Sequence, residues 1–372
     1  MQQSASPQRL VIKVGTSVLT GGGATLDPRR LLMLVQQIAE MHERGIAAAL
    51  VSSGAIAAGR GALGHPGLGR GIPAKQMLAA VGQPVLMHHY ADLFGIFRLH
   101  TAQVLLTRGD LTHRQRYLNA RDTLNALLQQ RVVPIINEND TVATEEIKVG
   151  DNDNLSAMVA NLIDADLLVL LTDQPGLFTT DPRSDPEARL INNVTEFDEA
   201  LWHSAGGAGS KQGTGGMITK LQAAQLATRS GTAVVIAQGS RPGVLSELLG
   251  PQGRSVGTWF EPAMNQIESR KRWLLSERPQ GTVHVDQGAA RILREGGASL
   301  LPVGMTRVDG SFERGMIVRV LAPDGHEIAR GITNYNATDL AALCGAHSTE
   351  IEERLGYIYA EEVIHRDDLV LV

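Results

Sequence analysis

RVVPIINENDTVATEEIKVGDNDNLSAMVANLI, residues 131–163, joins a short apolar run to a helical pattern across a polar connection. VVPII reads as a buried strand, and LSAMVANLI carries the apolar spacing of a helix. A strand running straight into a helix is one half of a βαβ unit. The connection, residues 137–154, holds six carboxylates, four asparagines and no aromatic ring. Acidic runs are mostly solvated surface. This one lies between two core elements, which keeps two further readings open: a metal site, or a grip on a cationic group.

Outward from this segment the alternation repeats. RLVIKVG reads as a buried strand entering a glycine turn. LDPRRLLMLVQQIAEMHERG follows, with Asp27 placed to cap a helix, Pro28 at its first position and Gly45 as its stop. IAAALV is the next strand, and SSGAIAAG turns into another helix. AQVLLT, DLLVLLTD and TAVVIAQG are further strands, with helical stretches such as RYLNARDTLNALLQQR between them. Such alternation predicts an α/β fold with a mainly parallel sheet and helices on both faces. Ligands of such sheets bind beyond the carboxyl ends of the strands.

Composition excludes several classes. The chain has 372 residues, enough for a large core and two domains. Lys and Arg number 34 against 39 Asp and Glu, a net charge of −5, without the basic footprint of a nucleic-acid binder. Cys344 is the only cysteine, so no disulfide framework or paired-cysteine zinc motif exists, and a small core residue is its simplest role. MQQSASPQRL has no long apolar core, and no later run approaches the roughly twenty apolar residues of a membrane span. A soluble, cytoplasmic protein is expected.

The segments after the strands carry the chemistry. Lys13 with GTS follows the first strand, SSGA the second, and Thr172 and Asp173 follow DLLVLL. GTGGMITKLQAAQLATRSG is a glycine turn opening a helix that bears Lys220. Glycine turns at helix N-termini present backbone N–H groups to anions such as phosphates, and two lysines add point charges. Phosphoryl transfer needs little more than such positioning and charge, so the set predicts a kinase. Other motifs fail on context. GRGALG (residues 59–64) matches the dinucleotide pattern but follows a helix rather than a strand. GGAGSKQG lacks the Gly-Lys pair of a P-loop, no His spacing matches H-E-x-x-H, and His88–His89 suits a helix surface. Lys13 ends a buried strand, which is hard to explain structurally. Ser53 could equally cap a helix, Asp173 could form a turn, and Lys220 is raised above an ordinary surface lysine only by its glycine turn. Glu145, Glu146 and Lys148 read as solvent-facing.

IKVGTSVLT, VSSGAIAAGR, NARDTL, PIINENDTVATEEIKVGDNDNLSA, LLTDQPGLFTTDPR and GTGGMITKLQAA, in this order, resemble the glutamate 5-kinases of the amino-acid kinase family. The resemblance covers nearly the whole chain. The resemblance implies a three-layer α/β/α domain whose open sheet holds ATP and substrate, unrelated to P-loop folds. It implies ATP-dependent phosphorylation of the side-chain carboxylate of L-glutamate, the step committing glutamate to proline synthesis. It further implies that Lys13 and Lys220 contact the transferred phosphoryl group, with Asp153 holding both. Ser53, Asp140 and Asn152 would bind glutamate. Lys13, Gly15, Gly54, Thr172 and Asp173, with the turn Thr214, Gly215, Gly216, Met217, Ile218, Thr219 and Lys220, would bind ATP. Magnesium would be held chiefly by the ATP phosphates, with no protein metal site. A homo-oligomer (dimer or tetramer), proline as feedback inhibitor and passage of product to glutamyl phosphate reductase are also implied. On this reading the ammonium of glutamate answers the opening question, with Asp140 and neighbouring amides as its grip. The side-chain carboxylate of glutamate is ionised above about pH 4.3, so no general base is needed.

After GTWF the character changes. EPAMNQIESRKRWLLSERPQG reads as a charged linker with one short helix, and short strands with glycine turns follow. SLLPVG, GSFERGMIVRV and IARGITNYNATDL resemble a PUA domain, a small barrel-like β module of RNA-modifying enzymes that is also fused to many glutamate 5-kinases. The expected division is 1–262 kinase, 263–279 linker and 280–372 PUA-like. Acidic residues and few aromatics argue against RNA binding there and for a structural or regulatory role. The rival readings are another amino-acid kinase, acting on aspartate or N-acetylglutamate, and an RNA-directed protein with a regulatory α/β part.

Overall fold

The computed structural model describes residues 7–64, 71–143, 152–206, 216–262, 264 and 266–372. It divides into two compact units, Met1–Met264 and Asn265–Val372.

The first unit is built on strands β1 Arg9–Val14, β2 Ala47–Ser52, β3 Thr101–Leu106, β4 Val133–Glu138, β5 Leu167–Thr172, β6 Asn193–Val194, β7 Ala233–Gln238 and β8 Thr258–Phe260. Their order is β3-β4-β2-β1-β5-β7-β8-β6. The six apolar runs of the sequence are the strands β1 to β5 and β7, all parallel to their neighbours among themselves. β8 runs antiparallel to β7 and pairs with β6 at the edge. These last two strands, three and two residues long, are too short to carry a period, and nothing in the sequence signals them. The chain leaves β1 in both directions, to β2 on one side and β5 on the other. This reversal opens a crevice at the carboxyl ends of β1 and β5, where doubly wound sheets bind ligands.

The helices of this unit are α1 Thr16–Thr20, α2 Pro28–Glu43, α3 Ala55–Ala62, α4 Ile72–Ile96, α5 Arg108–Thr112, α6 Arg114–Gln129, α7 Asn152–Leu162, α8 Glu199–Ser204, α9 Met217–Arg229 and α10 Val244–Leu248. Alternation along β1 sorts them into two layers. Leu10, Ile12 and Val14 join a core with Leu34 and Ile38 of α2, Leu86 and Tyr90 of α4 and Leu245 of α10. Val11 joins the opposite core, with Leu124 of α6, Leu155 of α7 and Leu221 of α9. The result is three layers. α2 begins as its sequence predicts: the Asp27 side chain accepts from Arg29 N–H at 2.9 Å, Pro28 is the first residue, and Gly45 beyond the end takes a φ of +80°.

The GRGALG glycines serve packing. A Cβ on Gly59 would lie 1.9 Å from the Leu78 carbonyl oxygen, and one on Gly82 would lie 1.8 Å from that of Ala55. α3 and α4 therefore cross backbone to backbone. His88 stands on the exposed surface of α4, 3.3 Å from Asp92 one turn on.

The second unit comprises α11 Gln266–Ser276, β9 Gly281–Val285, α12 Gln287–Glu295, β10 Met305–Asp309, β11 Ile317–Leu321, β12 Glu327–Ile332, α13 Ala337–Leu343, the short helix α14 Ile351–Leu355 and β13 Leu369–Leu371. The strand order is β10-β9-β11-β12-β13, antiparallel except for β9 against β11. Leu274 of α11 is fully buried with Ile317, Ile332 and Val370, which docks α11 onto this sheet. Cys344 packs half-buried against the core of this unit. Tyr335, Tyr357 and Tyr359 cluster, and Arg314 stacks 3.8 Å from the centre of the Tyr359 ring. Among the described residues no helix is long and apolar enough to cross a membrane.

Candidate active site

Period two along β1 puts the Lys13 side chain on the same face as Val11, the face that α7 and α9 cover. α7 brings Asp153 in its first turn, and α9 brings Thr219 and Lys220 in its own. Asp153 Oδ1 lies 2.6 Å from Lys13 Nζ, and its Oδ2 lies 3.1 Å from Lys220 Nζ. The Thr219 hydroxyl donates to the same Oδ2 at 2.7 Å. The Asp153 side chain is 2 % exposed and those of Lys13 and Lys220 are 7 % and 8 %. Burial alone would raise the Asp153 carboxyl; the two ammonium groups and the bonds from Lys13 and Thr219 outweigh it and hold the group at about 2. Two lysines against one ionised aspartate leave one surplus positive charge in a buried cluster. Such a surplus favours an arriving anion.

Backbone donors surround this cluster. Gly216 is the N-cap of α9 and has no side chain with which to cap it, so the first-turn N–H groups of Met217, Ile218 and Thr219 have no partner within the helix. Gly15 caps α1, and a Cβ there would sit 3.7 Å from Lys13 Nζ, so the lysine head lies back beside this turn. Gly54 caps α3 with a φ of +107°, and a Cβ on it would meet Leu19 Cδ1 at 3.0 Å. Only glycine suits that position. Thr172 ends β5, one residue beyond the pair Val14–Leu171, and its hydroxyl donates to Asp173 at 3.0 Å. Thr214 and Gly215 lie outside the described residues, as do Glu145, Glu146 and Lys148.

Of the expected glutamate residues, Ser53 and Asn152 meet beside the cluster. Ser53 follows β2 and is tied to β1 by its N–H on the Val14 carbonyl oxygen at 3.1 Å. Asn152, the neighbour of Asp153, donates through Nδ2 to Ser53 Oγ at 2.9 Å and to Asn137 Oδ1 at 3.0 Å. Asp140 sits half-buried in the turn beyond β4. Reasoning from sequence assigned no role to Asn137 or Gln83, yet Asn137 donates to Gln83 Oε1 at 2.9 Å. Asn137 stood in the opening stretch, where its place at a strand end was a usable signal; Gln83 lies 54 residues earlier inside a long helix and gave none. Among the described residues no group of three or more His, Cys, Asp or Glu is placed to hold a metal ion.

The crevice at the sheet reversal, the buried Lys–Asp–Lys cluster and the glycine-capped N-terminus of α9 define a site for moving a phosphoryl group. The amino acid kinase family pattern matches residues 8–238, and the chain belongs to that family. A PUA domain pattern matches residues 281–355, within the second unit. Among its relatives, glutamate 5-kinase of Deinococcus radiodurans is 54 % identical over 364 residues, covering 98 % of this chain and 100 % of that one. Glutamate 5-kinase of Sodalis glossinidius is 53 % identical over 366 residues, covering 98 % and 99 %. That of Escherichia fergusonii is 51 % identical over 363 residues, covering 98 % of each.

Proposed function

We infer that this chain transfers the γ-phosphoryl group of ATP to the side-chain carboxylate of L-glutamate, giving L-glutamate 5-phosphate for proline biosynthesis. The observation carrying this reading is the buried Lys13–Asp153–Lys220 cluster with its one surplus positive charge, on a chain whose relatives over its whole length are glutamate 5-kinases. A carboxylate oxygen attacks the γ-phosphorus, the bond to the β–γ bridging oxygen breaks, and ADP leaves with the electron pair. No proton moves. The obstacle is bringing one anion to another, and Lys13, Lys220 and the N-terminus of α9 ease it. Asp153 keeps both ammonium groups aimed and charged. Gly15, Gly54, Thr172, Asp173 and the turn 214–220 hold the nucleotide. The glycine-capped N-terminus of α9 and the buried ammonium groups fit a polyphosphate, and a divalent ion, magnesium by preference, would travel on the ATP phosphates and neutralise part of their charge. The reading extends to a homo-oligomer, to proline as feedback inhibitor, and to a reductase that consumes the acyl phosphate.

ATP consumption measured with glutamate, aspartate and N-acetylglutamate in turn, with hydroxylamine trapping the acyl phosphate, tests it. A hydroxamate with glutamate alone is expected. Hydroxamate with aspartate or N-acetylglutamate in preference would replace the substrate, and none with any would remove the kinase reading.

Ser53, Asn152 and Asp140 hold the amino-acid end of glutamate, with Asp140 facing its ammonium. Asp140→Asn keeps the shape and removes the charge. Losing one partner of a desolvated charged pair costs about 2–5 kcal/mol, so the glutamate KM is expected to rise tenfold or more. The ATP KM should stay put. Recovery of the variant at high magnesium would point instead to a metal at this position, and an unchanged glutamate KM to a merely solvated loop.

On this reading residues 1–262 are the kinase part, 263–279 a linker, and 280–372 a PUA-like part with a structural or regulatory role. In the second unit Arg314 stacks on Tyr359 and donates to the Asn334 carbonyl oxygen, and the Tyr335 hydroxyl donates to that of Ala360. A chain ending at Met264, where the two units part, is therefore expected to fold and phosphorylate glutamate. A truncated protein with native-like circular dichroism and no turnover would show that the second unit contributes to the chemistry.

A further inference from the structure

Five polar side chains form a continuous line under the amino-acid end of the crevice. Gln103 of β3 accepts from Gln83 Nε2 at 3.1 Å; Gln83 Oε1 accepts from Asn137 Nδ2 at 2.9 Å; Asn137 Oδ1 accepts from Asn152 Nδ2 at 3.0 Å; and Asn152 Nδ2 also donates to Ser53 Oγ at 2.9 Å. Gln83, Asn137 and Asn152 are all at least nine-tenths buried. An amide can be turned end for end without changing shape, so the direction of such a line needs an anchor. Here the anchor is a backbone group: Glu138 N–H donates to Asn137 Oδ1 at 2.9 Å. A backbone N–H can only donate, so that atom of Asn137 is its oxygen, its nitrogen must face Gln83, and Asn152 must offer its own nitrogen. Every amide of the line is thereby given one orientation.

We infer that Gln83 is a positioning residue for the substrate: acting through Asn137, it makes Asn152 present its carbonyl oxygen to the crevice, an acceptor for the ammonium of the amino acid. The inference rests on the glutamate reading and sharpens it. Asn152 Oδ1 has no partner among the described residues, whereas its Nδ2 has two. Ser53 Oγ, already accepting from Asn152, has its hydrogen left to donate, and that suits the α-carboxylate. Without the Gln83 oxygen, Asn137 Nδ2 is buried without a partner, and the Glu138 N–H alone holds the amide. The Asn137 oxygen is then a looser acceptor for Asn152 Nδ2, and the Asn152 amide is free to turn and point a donor at the ammonium.

The experiment compares glutamate with glutarate, which keeps both carboxylates and lacks the ammonium, in the full-length protein. The hydroxamate assay gives kcat/KM for each. Gln83→Met, of similar length and without the acceptor, is expected to lower glutamate kcat/KM by about tenfold, through KM, while glutarate is nearly unaffected. Gln83→Glu keeps an acceptor for Asn137 and is expected to retain the wild-type preference, with thermal melting reporting that both variants are folded. An equal fall for glutamate and glutarate in Gln83→Met would make Gln83 a structural residue only and overturn the inference, as would an unchanged preference. Loss of the preference in both variants would also overturn it, because the acceptor would then be irrelevant. Wild-type protein that phosphorylates neither compound would overturn the glutamate reading and the relay with it.

Discussion

Lys220→Ala is expected to lower kcat by roughly a hundredfold or more, with the glutamate KM moving far less. The Lys220 ammonium reaches Asp153 at 3.1 Å from the first turn of a helix that begins at a glycine N-cap. Negative charge gathers on the transferred group and on the departing β-phosphate oxygen as the bond breaks. A donor held in a dry site acts on that charge without having to reorganise, and its contribution is larger in the transition state than in the ground state. Truncation therefore falls on kcat. Lys13→Ala should behave alike, because Lys13 stands next to last in the central strand β1 and shares the same carboxylate at 2.6 Å. Steady-state kinetics at saturating ATP with the hydroxamate readout measures both. Near-normal kcat in either variant would take that lysine out of the mechanism, and a loss confined to the ATP KM would make it a binding group only.

Asp153→Asn should damage both stability and turnover. All three polar partners of the carboxylate, Lys13, Lys220 and Thr219, are donors. An asparagine can accept with one atom only and turns an N–H toward a donor with the other. Two buried ammonium groups are then left without their anion, and breaking a buried ion pair from one side costs about 3–5 kcal/mol.

Asp153 is held at about 2 against an ordinary 3.8, so its contribution is present above 3.8 and is lost as pH falls through about 2. The wild type should thus lose stability over that window more steeply than Asp153→Asn. Thermal melting from about pH 7 to about pH 2 reads this out. A variant with wild-type melting and wild-type kcat would mean that the carboxylate holds neither lysine.

β1, β2, β4 and β5 were legible because each carries a mainly apolar run ended by glycine, asparagine, serine or threonine, a local pattern that burial on both faces demands. The start and stop of α2 were legible for a similar reason, since caps act on the residues next to them. Lys13 stood out because a lysine in such a run contradicts its surroundings. β6 and β8 were illegible because edge pairing of two or three residues leaves no period. The α3–α4 crossing was hidden too: Gly59 and Gly82 look like any glycines until two backbones meet over them.

The sequence by itself determined the alternating α/β plan, the change of character after residue 260, and a set of strand-end residues suited to phosphoryl transfer. Tertiary structure alone decided which of those residues meet. Asp153 is 140 residues from Lys13 and 67 from Lys220, and no local pattern can say that one carboxylate serves both. That follows from the sheet order, which sets β1 between β2 and β5, and from the face of β1 that α7 and α9 cover. The amide line through Gln83 has the same origin. Hydrogen-bond direction depends on which donors and acceptors are brought face to face in a buried space, and folding fixes that at a distance from the residues it orients.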